Sequence, residues 1–250
     1  MSDPVVVTDD GAVRVIRINR PEKKNALTLA MYAEITRALG EAEASEAIRC
    51  VMFAGAPGAF CAGNDIGDFV KAAMGGALDP HALDFLKVLA GGQKKPLVAA
   101  VGGVAIGIGT TMLMHCDHVV AGTDATFSTP FLKLGLIPEA ASTLLAPMRM
   151  GHARAFSLLV MGRPLTAPEA KEAGIVNTVV DPAQVDDVAL GAARDIAALP
   201  PGAVAVTRKL MRGHVDAVLR QIDAESMHFK ERLKSDEART AFQAFFARKK

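Results

Sequence analysis

Short β-branched runs alternate along this chain with longer stretches of helical hydrophobic period. Val5–Val7, Val13–Ile18 and Cys50–Ala54 read as strands, and Leu97–Val101 as a strand buried on both faces. His118–Ala121, Thr126–Ser128 and Val176–Val180 read as further strands. Between them, Thr28 is placed to cap a helix running to about Ala44, with Leu29, Ile35 and Leu39 on its apolar side. Helices are also predicted from Ile66 to about Met74, over Thr110–Met114, and from Pro138 with Glu139 in the first turn. Thr166-Ala167-Pro168-Glu169 has the form of a capping box. From Val185 onward the pattern is helical. Strands alternating with helices predict an α/β core, with helices added at the end. The boundary falls between a core of residues 1–195, carrying the site, and a helical region of residues 196–250. The strand–turn–helix units repeat without a strict period, so a regular solenoid is not expected.

Composition narrows the function classes. The 250 residues are 50% hydrophobic with a net charge of +1, no Trp and one Tyr. No basic field or aromatic platform points to nucleic acid or an anionic membrane. Pro96 to Cys116 lacks charge and is long enough to span a bilayer. However, Gly102, Gly103, Gly107 and Gly109 interrupt it, so strand, turn and helix are the better reading. Cys50, Cys61 and Cys116 are odd in number and widely spaced, which predicts reduced thiols in a cytoplasmic protein. The chain opens without a signal-peptide pattern, and its Ala-Arg-Lys-Lys end is not a peroxisomal address. His115-Cys116-Asp117-His118 reads as packing and not as a metal site, and no metal is expected.

Two turns carry candidate chemistry. Phe60-Cys61-Ala62-Gly63-Asn64-Asp65-Ile66 joins a strand to a helix, and its small residues admit a ligand to the backbone. Unpaired N–H groups at a helix start stabilise negative oxygen. An ordinary turn capped by Asn64 or Asp65 explains the same residues. Gly102 to Gly109 follows a buried strand and offers a second N–H, or simply tight packing. It fits neither the dinucleotide fingerprint nor a P-loop. No Gly-x-Ser-x-Gly elbow supports an α/β-hydrolase.

The order of these pieces resembles the crotonase (enoyl-CoA hydratase/isomerase) superfamily. The resemblance runs through Arg20-Pro21, Asn25-Ala26-Leu27, Ala62-Gly63-Asn64-Asp65, Lys95-Pro96, the glycine run, Cys116-Asp117, Phe127–Pro130, Gly135, Pro138 and Thr166–Gly174. It implies a ββα spiral core with a C-terminal helical trimerisation region, and a homotrimer or dimer of trimers. It places oxyanion-hole N–H donors on Asn64 and on Ile108, where the family usually has glycine. The family's CoA contacts fall on Lys24, Ala26, Ala62, Asn64, Asp65, Ile66, Phe245 and Arg248. CoA would enter as part of the substrate, with no separate cofactor. The two hydratase glutamates correspond to Thr111 and Phe131, which lack a carboxyl group. The remaining carboxylate, Glu139, would otherwise serve the helix dipole. The segment Phe127–Phe131, Leu134-Gly135 and Pro138-Glu139 is similar to peroxisomal-type Δ3,Δ2-enoyl-CoA isomerases and bacterial relatives, whose base is this glutamate. The resemblance therefore implies isomerisation of 3-enoyl-CoA. Hydration, thioester hydrolysis and non-catalytic acyl-CoA binding are the alternatives. Phe69 and Met74 are candidates for an acyl tunnel or equally for core.

Overall fold

Every residue of Leu97–Val101 (β5) is buried, as its unbroken apolar run predicts. The computed structural model describes the backbone of residues 3–67 and 80–247. In it, Val5–Asp10 (β1), Val13–Ile18 (β2), Cys50–Gly55 (β3), His118–Gly122 (β7) and Thr178–Val180 (β10) join β5 in one sheet of order β1-β2-β3-β5-β7-β10. All neighbours are parallel except β1 and β2. A smaller sheet is built from Ala59–Cys61 (β4), Val104–Ile106 (β6), Thr126–Ser128 (β8) and Leu165–Thr166 (β9), in that order. The chain thus sends β3, β5 and β7 to the large sheet and the strand after each, β4, β6 and β8, to the small one. Each circuit advances by one strand in both sheets, which makes a spiral.

The helices are Leu29–Ala44 (α1), His81–Lys87 (α2), Ile108–Thr111 (α3), Ser142–Leu159 (α4), Ala167–Glu172 (α5), Val185–Ala198 (α6), Pro201–Met211 (α7), Val215–Leu233 (α8) and Asp236–Ala247 (α9). Alternating strand residues divide the large sheet into two apolar faces. Ile16, Ile18, Val51, Phe53, Ala99 and Val101 face the main core. Val13, Val15, Met52, Ala54, Val98 and Ala100 face the other way. There they meet a small-residue stripe of α6, Val185, Ala189, Ala193 and Ala197, spaced four residues apart. The predicted caps form. Thr28 accepts a hydrogen bond from the Met31 N–H, and Thr166 and Glu169 make a reciprocal capping box.

Three expectations are corrected. The glycine-rich run is not all turn, because Val104–Ile106 inside it pairs with β4 and β8. The helix expected over Thr110–Met114 is the four-residue α3, followed by a 3-10 turn, Met112–His115. No helix opens at Pro138. Ala140 and Ala141 are both left-handed (φ 64° and 53°), so a right-handed helix cannot start before Ser142. Glu139 therefore stands in an irregular loop, not in a first helical turn. Of the helix predicted from Ile66, Ile66 and Gly67 are helical; Phe69 and Met74 lie outside the described residues.

The last helix bears on the site. Phe131, Leu136, Leu233, Ala238 and Phe242 form a separate apolar cluster against Ile66. A Cβ on Gly135 would lie 2.6 Å from the Ala238 N atom, so α9 is seated directly on the segment leading to Glu139. Among the described residues no helix is long and apolar enough to cross a membrane, and no cluster of His, Cys, Asp or Glu could hold a metal.

Candidate active site

The connector before α1 and the loop after β4 are stitched together. Asn25, fully buried, accepts the Arg20 N–H at 2.8 Å and donates to the Ala59 carbonyl at 2.6 Å. Ala62 N–H donates to Lys24 O, and Arg20 reaches both Ala26 O and the Asp65 carboxylate. These bonds gather Lys24, Ala26, Ala62, Asn64, Asp65 and Ile66, all placed in one site by resemblance. Phe245 lies in α9 but its side chain, like Arg248, is outside the described residues.

A parallel bridge fixes the Asn64 backbone. Leu27 N–H donates to Gly63 O, and Asp65 N–H donates to Leu27 O, each at 2.8 Å. This register uses the residues on either side of Asn64 and turns its own N–H away from Leu27. At the second turn, Gly107 (φ 57°) reverses the chain between β6 and α3. Its carbonyl accepts from Thr110 and Thr111, which leaves the Ile108 N–H as the first free donor of α3. Neither the Asn64 nor the Ile108 N–H has a protein acceptor among the described residues. The turns touch, since a Cβ on Gly107 would sit 3.9 Å from Gly63 Cα and 3.8 Å from the Phe131 ring. The Ile108 side chain is buried in the main core, so this departure from glycine does not fill the space before its N–H.

The Asn64 side chain lies near enough to Glu139 to favour its charged form. Glu139 Oε1 is buried and unpartnered among the described residues. Burial, followed by the charge of Glu225, pushes its pKa up from 4.5 to about 8, against the opposing pull of Asn64. Thr111 and Phe131, the positions without carboxylates, are both buried, and the Phe131 ring lies beside Gly107.

Sequence reasoning missed the groups that hold Asn64 and Glu139. Tyr32, the only tyrosine, donates its hydroxyl to Asn64 Oδ1 at 2.5 Å. This fixes the orientation of the amide, with Oδ1 toward Tyr32. Burial, then Glu139, raises the Tyr32 pKa well above 10, so it stays a donor. Tyr32→Phe is expected to cost about 1 kcal/mol of stability, the worth of one buried hydrogen bond. Urea denaturation checks this, and an unchanged midpoint would mean that Asn64 is held without Tyr32. His115 contacts the Ala140 carbonyl at 2.8 Å, and burial lowers its pKa to about 4, leaving it a neutral donor. The thiols Cys50, Cys61 and Cys116 are buried and free, and burial pushes each up to about 12.

A cavity of about 760 Å³ lies elsewhere, with Arg149, Arg208 and Leu199 among its walls. Arg208 there is committed to Asp117 at 2.7 Å and to the Gln93 carbonyl. The buried Glu139 carboxyl, its Oε1 unpartnered among the described residues, and the N–H groups of Asn64 and Ile108 are not among the walls of this cavity.

The spiral of paired strands is the crotonase architecture. Residues 8–250 match the family described as Enoyl-CoA hydratase/isomerase, and the chain belongs to that family. It is similar to Enoyl-CoA delta isomerase 2 of Rattus norvegicus, 35% identical over 254 residues, covering 99% of this chain and 64% of that protein. The chain thus spans less than two thirds of that relative's length. It is also similar to a Probable enoyl-CoA hydratase of Rhizobium meliloti (strain 1021), 32% identical over 251 residues, covering 98% of this chain and 90% of that one. An enoyl-CoA hydratase/isomerase crystal structure from Pseudoalteromonas atlantica T6c superposes with a TM-score of 0.93 at 38% identity, covering 98% of each chain.

Proposed function

We propose that the protein isomerises 3-enoyl-CoA to trans-2-enoyl-CoA, with Glu139 as the single acid/base. The observation that carries this reading is the Glu139 carboxyl, buried against Asn64 and raised to about 8. Near neutral pH such a group is a far stronger base than an ordinary carboxylate. It removes a proton from C2, which is acidic because it lies between the thioester carbonyl and the double bond. The C–H electron pair forms a dienolate, whose negative oxygen takes hydrogen bonds from the N–H groups of Asn64 and Ile108. Each such donor is worth roughly 3–4 kcal/mol in comparable sites. Glu139 then returns the proton to C4, the C3–C4 π pair taking it up, and the double bond comes to rest between C2 and C3. No redox partner or separate cofactor is needed. Thr111 and Phe131 supply no second carboxylate to activate water, which favours proton shuttling over hydration.

The CoA portion would run along Lys24, Ala26, Ala62, Asp65 and Ile66, with Phe245 and Arg248 at its far end. Assembly as a trimer or dimer of trimers in the cytoplasm completes the reading. The exposed Val206, Leu210 and Met211 of α7 offer apolar surface for it.

Incubation with 3-hexenoyl-CoA tests the proposal. Appearance of the conjugated 2-enoyl thioester without free CoA is the expected outcome. Thiol release would establish a thioesterase instead. Water adds only to the conjugated thioester, so trans-2-hexenoyl-CoA is supplied in parallel: its conversion to a 3-hydroxyacyl thioester would establish a hydratase, and binding of both thioesters with conversion of neither a non-catalytic acyl-CoA-binding protein.

A further inference from the structure

Glu139 is followed by two alanines in the left-handed region, a conformation that costs an L residue about 1–2 kcal/mol. Such strain persists only where surroundings over-determine it. The determinant comes from 84 residues away: Glu225, in the middle of α8 and 4% exposed, accepts the Ala141 N–H at 2.6 Å on Oε2. Its Oε1 accepts the Thr143 N–H at 3.1 Å and the Thr143 hydroxyl at 2.5 Å. Gln221 Nε2 donates to that same hydroxyl oxygen at 2.8 Å, which directs the Thr143 proton at Glu225. Burial raises the Glu225 pKa, while the three donors aimed at it favour the carboxylate form, which also faces the N-terminus of α4. From the other side, the neutral His115 holds the Ala140 carbonyl. Asp223 of the same helix is paired with Lys87.

We propose that Glu225 is the positioning residue for Glu139: its buried carboxylate clamps Ala141 and Thr143, holds the left-handed pair, and so sets where the Glu139 carboxyl points. The anion does a second thing. It lies close enough to disfavour a charge on Glu139, which keeps the base strong. This inference rests on the reading of Glu139 as the base.

Glu225→Gln removes the charge and brings an NH2 group against N–H donors, which opens the clamp. The expected result is a kcat on 3-hexenoyl-CoA lowered about 10-fold with KM nearly unchanged, since a displaced base loses rate and not binding. In parallel, the Glu139 carboxyl is followed by carbon-13 NMR in glutamate-labelled protein and assigned by its loss in Glu139→Gln. Its titration is expected to move to lower pH in Glu225→Gln with the near-UV circular dichroism unchanged, which separates loss of the Glu225 charge from a loosened fold that would hydrate Glu139 and lower its pKa as well. If Glu225→Gln does not fold, Thr143→Val removes the hydroxyl donor alone and is expected to move both readouts in the same direction by less. A folded variant with unchanged kcat and unchanged titration would overturn the clamp. If the wild-type protein fails to isomerise 3-hexenoyl-CoA, the functional reading falls, and the titration alone still decides the role of Glu225.

Discussion

Glu139→Gln is expected to lower the isomerisation rate by at least about 100-fold, the low end for loss of a general acid–base group, with thioester binding retained. The amide keeps the shape beside Asn64, but it cannot take a proton from C2. In the wild-type protein, a carboxyl raised to about 8 is mostly protonated at neutral pH. The base form therefore grows as pH rises, and kcat/KM should climb about tenfold per pH unit and level off above about 8. A pH–rate profile flat from about 5 upward would show that the base has an ordinary pKa. The same shift acts on stability. Because the folded-state pKa is raised, the protonated group favours the fold fully below the unfolded value of 4.5, and that contribution is lost as pH rises through about 8. Relative to wild type, Glu139→Gln should thus be more stable at about pH 9 than at about pH 5, as read from paired thermal melts.

The parts of this site that were legible in the sequence are those built from local pattern. The strand Leu97–Val101, the Thr28 cap and the Thr166–Glu169 capping box depend on neighbours a few residues apart, and all three form. The small sheet was not legible, because β4, β6 and β9 are two or three residues long and too short to show a period. The helix expected at Pro138 failed for a different reason. Proline followed by glutamate is a sound helix start, but the left-handed alanines after it are held by Glu225 and His115 from distant elements. No local propensity encodes that. A trace of the clamp was present, however. Val218, Ile222 and Glu225 share the buried stripe of α8 at helical spacing, and a carboxylate on an apolar stripe calls for a partner. Tyr32 carried no comparable signal, since a tyrosine among Met31, Ile35 and Leu39 looks like ordinary core.

Gly109→Ala is expected to reduce kcat/KM on 3-hexenoyl-CoA by about 100-fold or more, although residue 109 touches no substrate atom in the proposed mechanism. A Cβ there would stand 2.4 Å from the Cys61 carbonyl oxygen and 2.9 Å from Cys61 Cβ. The nearest obstacle is backbone, which no rotamer change can relieve. Cys61 ends β4 three residues before Asn64, and Gly109 follows Ile108 directly, so this contact sets the spacing between the two free N–H groups. A methyl group must push α3 off β4 and carry the Ile108 donor away from the position a thioester oxygen would share with Asn64. Losing one such donor costs about 10²–10³ in rate, while the overpacking itself costs about 1–3 kcal/mol of stability. Measuring kcat/KM beside urea denaturation separates the two effects. Gly191→Ala is the control, because nothing lies within 4 Å of its added methyl on α6, and full activity is expected there. If Gly109→Ala stays within a few-fold of wild type while remaining folded, the Ile108 N–H does not stabilise the reacting oxygen, and the dienolate must be held by Asn64 without it.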